Sequence, residues 1–205
     1  MAIKQIKKDN INDIYDYFHL ANHAFYLRQD KNVPHNSVIF IGDSHVQGLA
    51  VSAITNNAFN FGIGRDDSLK LSERYHTYTA IDNAKCVVIQ IGINDILNDV
   101  NADVVTNNYV KILQASNKNT NVLINYIFPV STVLSNHQRI NSMVETLNAH
   151  LLSLNKHRNV HLLNINNYLQ SANNSYISDG LHLSATAYDY WIIKLRQKLN
   201  LLGCQ

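Results

Sequence analysis

The stretch VIFIGDSHVQGL, residues 38–49, is an apolar, β-branched run that stops at Gly42-Asp43-Ser44-His45. Continuous rather than alternating apolar residues mark a strand buried on both faces, as in a parallel sheet. A strand that ends on a carboxylate, a hydroxyl and an imidazole has two explanations. Asp and Ser accept from the free amides of a helix start, so the turn can be an ordinary cap. Alternatively, it displays a nucleophile at the start of that helix.

Working outward, similar runs recur. SVIFIG (37–42), AFNFG (58–62), CVVIQIG (86–92), NVLINYIF (121–128) and VHLLNI (160–165) read as strands. The stretches 44–56, 66–82, 102–117, 137–157 and 184–201 read as helices. This alternation predicts an α/β fold, a three-layer α/β/α sandwich on a five-stranded parallel sheet with right-handed crossovers. Residues 9–30 predict a further amphipathic helix, with Ile11, Ile14, Phe18, Ala21 and Phe25 close to one face. We read residues 1–36 as an N-terminal helical segment, a lid over the sheet edge, packed on the domain formed by 37–205. Two prolines and no Ser/Gly-rich stretch leave no linker between them.

Composition excludes several classes. A chain of 205 residues buries one substantial core without staples. Seventeen basic against 15 acidic residues give +2, too weak a balance to argue for nucleic acid or an anionic membrane surface. No run approaches the roughly 18 apolar residues of a membrane span. No apolar stretch follows MAIKQIKKDN, which predicts a cytoplasmic protein without a signal peptide. Cys86 and Cys204 read as free thiols in a reducing compartment. His19 and His23 have a zinc-compatible spacing, yet no Glu follows His19 in the H-E-x-x-H manner and no third ligand is evident, so no metal is expected.

In parallel sheets the site lies beyond the carboxyl ends of the strands. There stand Gly42-Asp43-Ser44-His45, then Gly62, Gly64 and Arg65, then Gly92-Ile93-Asn94-Asp95. Asp179 and His182 precede the last helix. A hydroxyl, backbone amides, a side-chain amide, an imidazole and a carboxylate are the inventory that acyl transfer through a serine needs. The pattern is not the G-x-S-x-G elbow, because Val46 stands two residues after Ser44.

The blocks GDSH, NFGIGRDD, GIND and DGLH, in that order between about 37 and 191, resemble the SGNH (GDSL-like) hydrolases. They are closest in motif to the platelet-activating-factor acetylhydrolase-like branch. The resemblance implies a flavodoxin-like SGNH hydrolase fold and a serine esterase or acylhydrolase. It makes Ser44 the nucleophile, His182 the general base and Asp179 the group that orients His182. The Ser44 amide and the Asn94 side chain become oxyanion donors. Relatives carry Gly-Gly-Asp where this chain reads Gly64-Arg65-Asp66, so either Gly64 or Arg65 gives the remaining amide. The Arg65 guanidinium either meets an anionic group on a substrate or pairs with Asp66 or Asp67 at the surface.

His45 either lines the substrate pocket or packs on the N-terminal helix. Asp43 supports its loop, Asp95 caps the next helix, and Trp191 belongs to the core of the last one. The expected reaction is cleavage of a short-chain ester, an acetyl ester first of all, of a sugar or small metabolite, through an acyl-enzyme and with no cofactor. The segment FPVSTVLSNHQRI (128–140) is expected to shape the alcohol side. Expected partners are a small-molecule or carbohydrate ester, with no nucleic acid and no membrane insertion. An O-acyltransferase with the same triad and a non-catalytic binding module of the same fold are the alternatives.

Overall fold

The fold is taken from a computed structural model that describes residues 2–156 and 159–204, with residues 2–13 described as helical backbone alone. Five strands, β1 (Val38–Gly42), β2 (Ala58–Gly62), β3 (Cys86–Gln90), β4 (Asn121–Asn125) and β5 (Val160–Leu163), form one sheet. Every pairing is parallel, and the order is β2-β1-β3-β4-β5. The chain moves to one side of β1 to form β2 and to the other to form β3. The topological switch point, where such sheets bind ligands, therefore falls at the ends of β1 and β3.

Helices are α1 (Ala2–Asp30), α2 (Ser44–Gln47), α3 (Ser68–Tyr75), α4 (Thr79–Asp82), α5 (Ile93–Leu97), α6 (Ala102–Ala115), α7 (His137–Leu154), α8 (Asn166–Ser171) and α9 (Ala185–Leu201). Strand periodicity divides the core in two. Ile39, Ile41, Val87 and Ile89 pack with Leu71, Tyr109, Ile112 and Leu151 from α3, α6 and α7. Phe40 and Val88 turn the other way, onto Val46, Leu169, Trp191 and Leu195 from α2, α8 and α9. Both layers cover a sheet whose two central strands are buried throughout.

The long helix predicted over 44–56 ends at Gln47 and gives way to a 3-10 turn at Val51–Ala53. Asn60 Nδ2 donates to the carbonyls of Val46 and Leu49, which a continuing helix would have used itself. The predicted helix over 66–82 is two. The Asp30 carboxylate accepts from the amides of Thr79 and Ala80 and so starts α4 afresh. Residue 157, the expected end of α7, lies outside the described residues.

The apolar face expected to bury α1 looks outward: Ile14, Phe18, Ala21 and Phe25 are exposed, and the Ile11 side chain lies outside those described. The inner face is largely polar and aromatic: most of it meets loops, and only Tyr26 and Leu27 near its end reach the core. His23 Nε2 meets Thr77 Oγ1 at 3.1 Å, and Tyr26 donates to the Gly62 carbonyl at 2.8 Å. His19 Nε2 lies 2.9 Å from Asp66 Oδ1.

The reading of two free thiols is corrected as well. Cys86 and Cys204, with Cα atoms 6.0 Å apart, are joined in a disulfide that ties the C-terminus to β3. Both are buried. A separation of 118 residues hid a proximity that only the sheet creates.

Candidate active site

Gly42 closes β1 where a side chain has no room: a β-carbon there would lie 1.9 Å from the Gln90 carbonyl oxygen on β3. The chain turns at once into Asp43, whose Oδ1 accepts the His45 amide at 2.9 Å and caps α2. Ser44 is the first residue of that helix, and its hydroxyl faces the cleft. The helix spans only four residues, so α2 supplies an amide and a direction, not the extended dipole a longer helix would bring.

The loop before α9 supplies the partners. Its Tyr176–Leu183 bridge and the bond from the Ile177 amide to the His182 carbonyl hold a tight turn. Asp179 organises that turn with one oxygen: Oδ1 accepts the amides of Leu181 and His182 at 2.8 and 2.9 Å. Its other oxygen lies 2.7 Å from His182 Nδ1. Burial is the largest single influence on the Asp179 carboxyl and pushes its pKa up, but the bonds from the His182 ring and the two amides, with the charge attraction of His182, together outweigh it and hold the pKa below the ordinary value. A carboxylate accepts only, so the His182 proton sits on Nδ1 and leaves Nε2 free to accept. Ser44 Oγ lies 2.9 Å from that Nε2. One chain of hydrogen bonds thus runs from the Ser44 hydroxyl through His182 to Asp179.

Donors face the same cleft. Asn94 lies in the first turn of α5, beyond β3, and one Nδ2 proton is bonded to the Asp66 carbonyl at 2.8 Å. The second amide proton remains for a ligand. In the loop after β2, the Gly64 amide donates to Gln47 Oε1 at 2.9 Å and is already engaged. Arg65 adopts φ +66°, a left-handed conformation that glycine adopts more readily than any residue with a side chain. Its amide has no hydrogen bond to another described residue.

The cleft has a volume of about 560 Å3 and is lined by Tyr15, Asp16, Ser44, Gly64, Arg65, Asp67, Lys70, Asn94, Leu97, Asn98, Leu181 and His182. Two of the expected placements differ. His45 is buried at 1% exposure and is not among the residues that line the cleft. Its Nε2 faces the Leu181 carbonyl at 3.2 Å, and its ring meets the edge of Phe128. Burial would lower the imidazole pKa, but Asp43, 3.4 Å away, and the Leu181 carbonyl outweigh it and the net direction is up. The segment 128–140 stays out of the cleft too. It braces the triad turn from behind, through the Ser131 amide to the Gly180 carbonyl and from Tyr176 to the Pro129 carbonyl.

The surface pairing expected of Arg65 is also absent among the described residues. Asp66 is buried and meets Arg74 Nε at 2.7 Å, while Asp67 caps α3 through the Lys70 amide. Asp95 lies inside α5 and caps α3 rather than its own helix, accepting from the Ser68 amide and hydroxyl at 2.9 and 2.6 Å. Gln47, Arg74 and Tyr15 belong to no sequence block that marks the site. Their roles follow from where α1, α2 and α3 meet.

The sequence model of the GDSL-like lipase/acylhydrolase family matches residues 40–190. Among solved structures, a protein of Streptococcus pneumoniae provisionally described as a platelet activating factor is 21% identical, with TM-score 0.84 over 97% of this chain and 99% of that one. A GDSL-like lipase from Bacteroides thetaiotaomicron is 18% identical, with TM-score 0.75 over 88% and 98%. An acetylxylan esterase from Geobacillus stearothermophilus is 15% identical, with TM-score 0.65 over 82% and 94%. At such identities the likeness is one of fold. No match was found among curated proteins.

Proposed function

The chain belongs to the GDSL-like lipase/acylhydrolase family, and from that premise we propose that it is a serine esterase that removes a short acyl group, such as acetyl, from a sugar or small metabolite. The observation that carries the reading is the continuous line from Ser44 Oγ to His182 Nε2, 2.9 Å, and from His182 Nδ1 to Asp179 Oδ2, 2.7 Å.

Ser44 Oγ attacks the ester carbonyl carbon while its proton passes to His182 Nε2. The carbonyl π pair moves onto oxygen, and the resulting oxyanion is met by the amides of Ser44 and Arg65 and the free proton of Asn94 Nδ2. Gly64 drops out of this set because its amide is held by Gln47. Collapse of the intermediate breaks the bond to the alcohol oxygen, which takes the His182 proton as it leaves. Water then gives a proton to His182, attacks the acyl-enzyme and releases the acid, and the proton returns to Ser44. Asp179 stays ionised and keeps the imidazole in the productive tautomer.

The acyl and alcohol assignments rest on the cleft lining. Tyr15, Asp16, Arg65, Asp67, Lys70, Asn94 and Asn98 make it polar, and Leu97 and Leu181 are its aliphatic members. That surface suits a hydroxylated alcohol better than a lipid tail. The fold shared with an acetylxylan esterase agrees with it.

The test is hydrolysis of p-nitrophenyl acetate, butyrate and octanoate by the wild type and Ser44→Ala. Activity that falls with chain length and disappears in Ser44→Ala is expected. Equal rates in the two proteins would remove Ser44 from the mechanism. A burst followed by slow turnover would point to an acyl-enzyme awaiting an acceptor other than water.

A further inference from the structure

Arg65 is an anomaly in its own loop. It occupies a left-handed position at φ +66°, where a side chain carries a conformational cost that glycine avoids. The side chain is not left to solvent: its guanidinium carbon lies 3.4 Å from the centroid of the Tyr15 ring. Tyr15 comes from α1, so the N-terminal helix fixes the direction of a cation in the loop beside the nucleophile. A β-carbon on neighbouring Gly64 would lie 3.8 Å from Ser44 Cβ, which shows how close this loop runs to the reacting hydroxyl.

Two carboxylates, Asp16 and Asp67, line the cleft beside it. Lys70 Nζ lies 3.4 Å from Asp16 Oδ1, and Asp67 Oδ1 accepts the Lys70 amide. The carboxylate next to Arg65 in sequence, Asp66, is buried on Arg74 and His19. Among the described residues, Arg65 is the cleft cation with no carboxylate bonded to it. A guanidinium stacked on an aromatic face keeps its in-plane N–H groups free, and that edge is a fork for a carboxylate, sulfate or phosphate.

We propose that the Arg65 guanidinium, held by Tyr15, binds an anionic group on the substrate, and that the ester cleaved is an acetate of an acidic alcohol. The placement of the anion on the alcohol rests on the short-acyl esterase reading above, since an acetyl group has no room for it. Sugar acids, sugar sulfates and sugar phosphates share the required chemistry.

The experiment compares acetate release from the acetates of 4-hydroxybenzoate, 4-hydroxybenzenesulfonate and 4-hydroxyphenyl phosphate with that from methyl 4-acetoxybenzoate, the neutral control. The wild type is expected to favour at least one charged ester in kcat/KM, and the preference should shrink with added salt. Arg65→Gln is expected to lower the charged-to-neutral ratio by about tenfold, Arg65→Lys to restore part of it, and Tyr15→Ala to lower it as well. Whichever charged ester leads identifies the anion. A ratio unchanged by Arg65→Gln overturns the proposal.

Binding is measured separately by calorimetry with the same charged acetates in a Ser44→Ala background, where nothing turns over. There Arg65→Gln is expected to weaken binding by about tenfold, and equal affinity overturns the proposal whatever the kinetics show. Failure of the wild type to cleave any of the esters would sink the esterase reading alone, because the binding arm still decides the role of Arg65.

Discussion

Arg74 and Asp66 form a buried ion pair, Nε to Oδ2 2.7 Å, next to the loop that carries Arg65. The same guanidinium donates to the Gly42 carbonyl at 3.1 Å and lies 3.3 Å from the Tyr78 hydroxyl. One side chain thus ties the end of β1 to the loop after β2, and through the Asp66 carbonyl it reaches Asn94. Removing one partner of a buried pair leaves the other charge uncompensated, at a cost of about 3–5 kcal/mol. Arg74→Met should lower stability by that amount in urea unfolding. Arg74→Lys should recover little, because a single ammonium cannot reach Asp66, Gly42 and Tyr78 together. A loss under about 1 kcal/mol would place the pair with ordinary surface bridges and refute its structural role.

Asn94 gives a different signature. Among the described residues its side chain is bonded once, to Asp66, and it is not part of the apolar core. Its remaining proton acts when negative charge develops on the substrate oxygen. Asn94→Ala should therefore lower kcat by roughly 10²- to 10³-fold with little change in KM. The thermal midpoint should stay near that of the wild type. A rise in KM at constant kcat would reassign Asn94 to ground-state binding.

The pH dependence of stability has an identifiable source in Asp95. Burial raises its carboxyl pKa from 3.8 to about 6, against the opposing effect of its hydrogen bonds from Ser68. The folded state then holds a proton that the unfolded state has released, so this group's contribution falls as pH rises from about 4 to 6 and stays low above that. The shift corresponds to about 3 kcal/mol. Asp95→Asn cannot ionise, so its stability relative to the wild type should improve by on the order of 3 kcal/mol between pH 4 and pH 7. Parallel profiles for the two proteins, from urea midpoints at each pH, would show that Asp95 does not titrate in this range.

How legible the molecule was in its sequence depended on how local each signal is. The strands were readable because β1 and β3 are buried on both faces, and Val38–Ile41 and Cys86–Ile89 carry no polar interruption. Ser44, Asn94, Asp179 and His182 were singled out because each sits in a short block beside a strand end or before α9. What failed was pairing at a distance. Arg65 and Asp66 are neighbours in sequence, yet one stacks on Tyr15 and the other pairs with Arg74. His45 has the residue type of a pocket group but is turned under Phe128 by its Asp43 cap. The periodicity of α1 located a helix and pointed its apolar face the wrong way, because Tyr15, His19, His23 and Tyr26 face loops that supply polar partners. The short helices α5 and α8 are set by tertiary bonds and had no stretch of their own long enough to show a period.

The Cys86–Cys204 bond links the first residue of β3 to the end of the chain, with Cα atoms 6.0 Å apart, inside the range that disulfides span. It closes a loop across 118 residues, so its chain-entropy effect on the unfolded state is large, about 4–5 kcal/mol as an upper value. Both sulfurs are buried, and α9 packs Trp191, Leu195 and Leu199 into the same core layer. Reduction should therefore be slow in the native protein and fast once it unfolds. Cys204→Ser is expected to lower stability by about 2–5 kcal/mol, measured by urea unfolding without reductant. The wild type should approach the variant when unfolded with a thiol present. Its intact mass, taken without reductant, should be lighter by two hydrogens than the fully reduced chain. The disulfide lies at the opposite end of the sheet from Ser44, so esterase activity should persist in Cys204→Ser at temperatures where the variant remains folded. Two reactive thiols in the unreduced, unfolded wild type would show that the bond does not form and would return both cysteines to the free state.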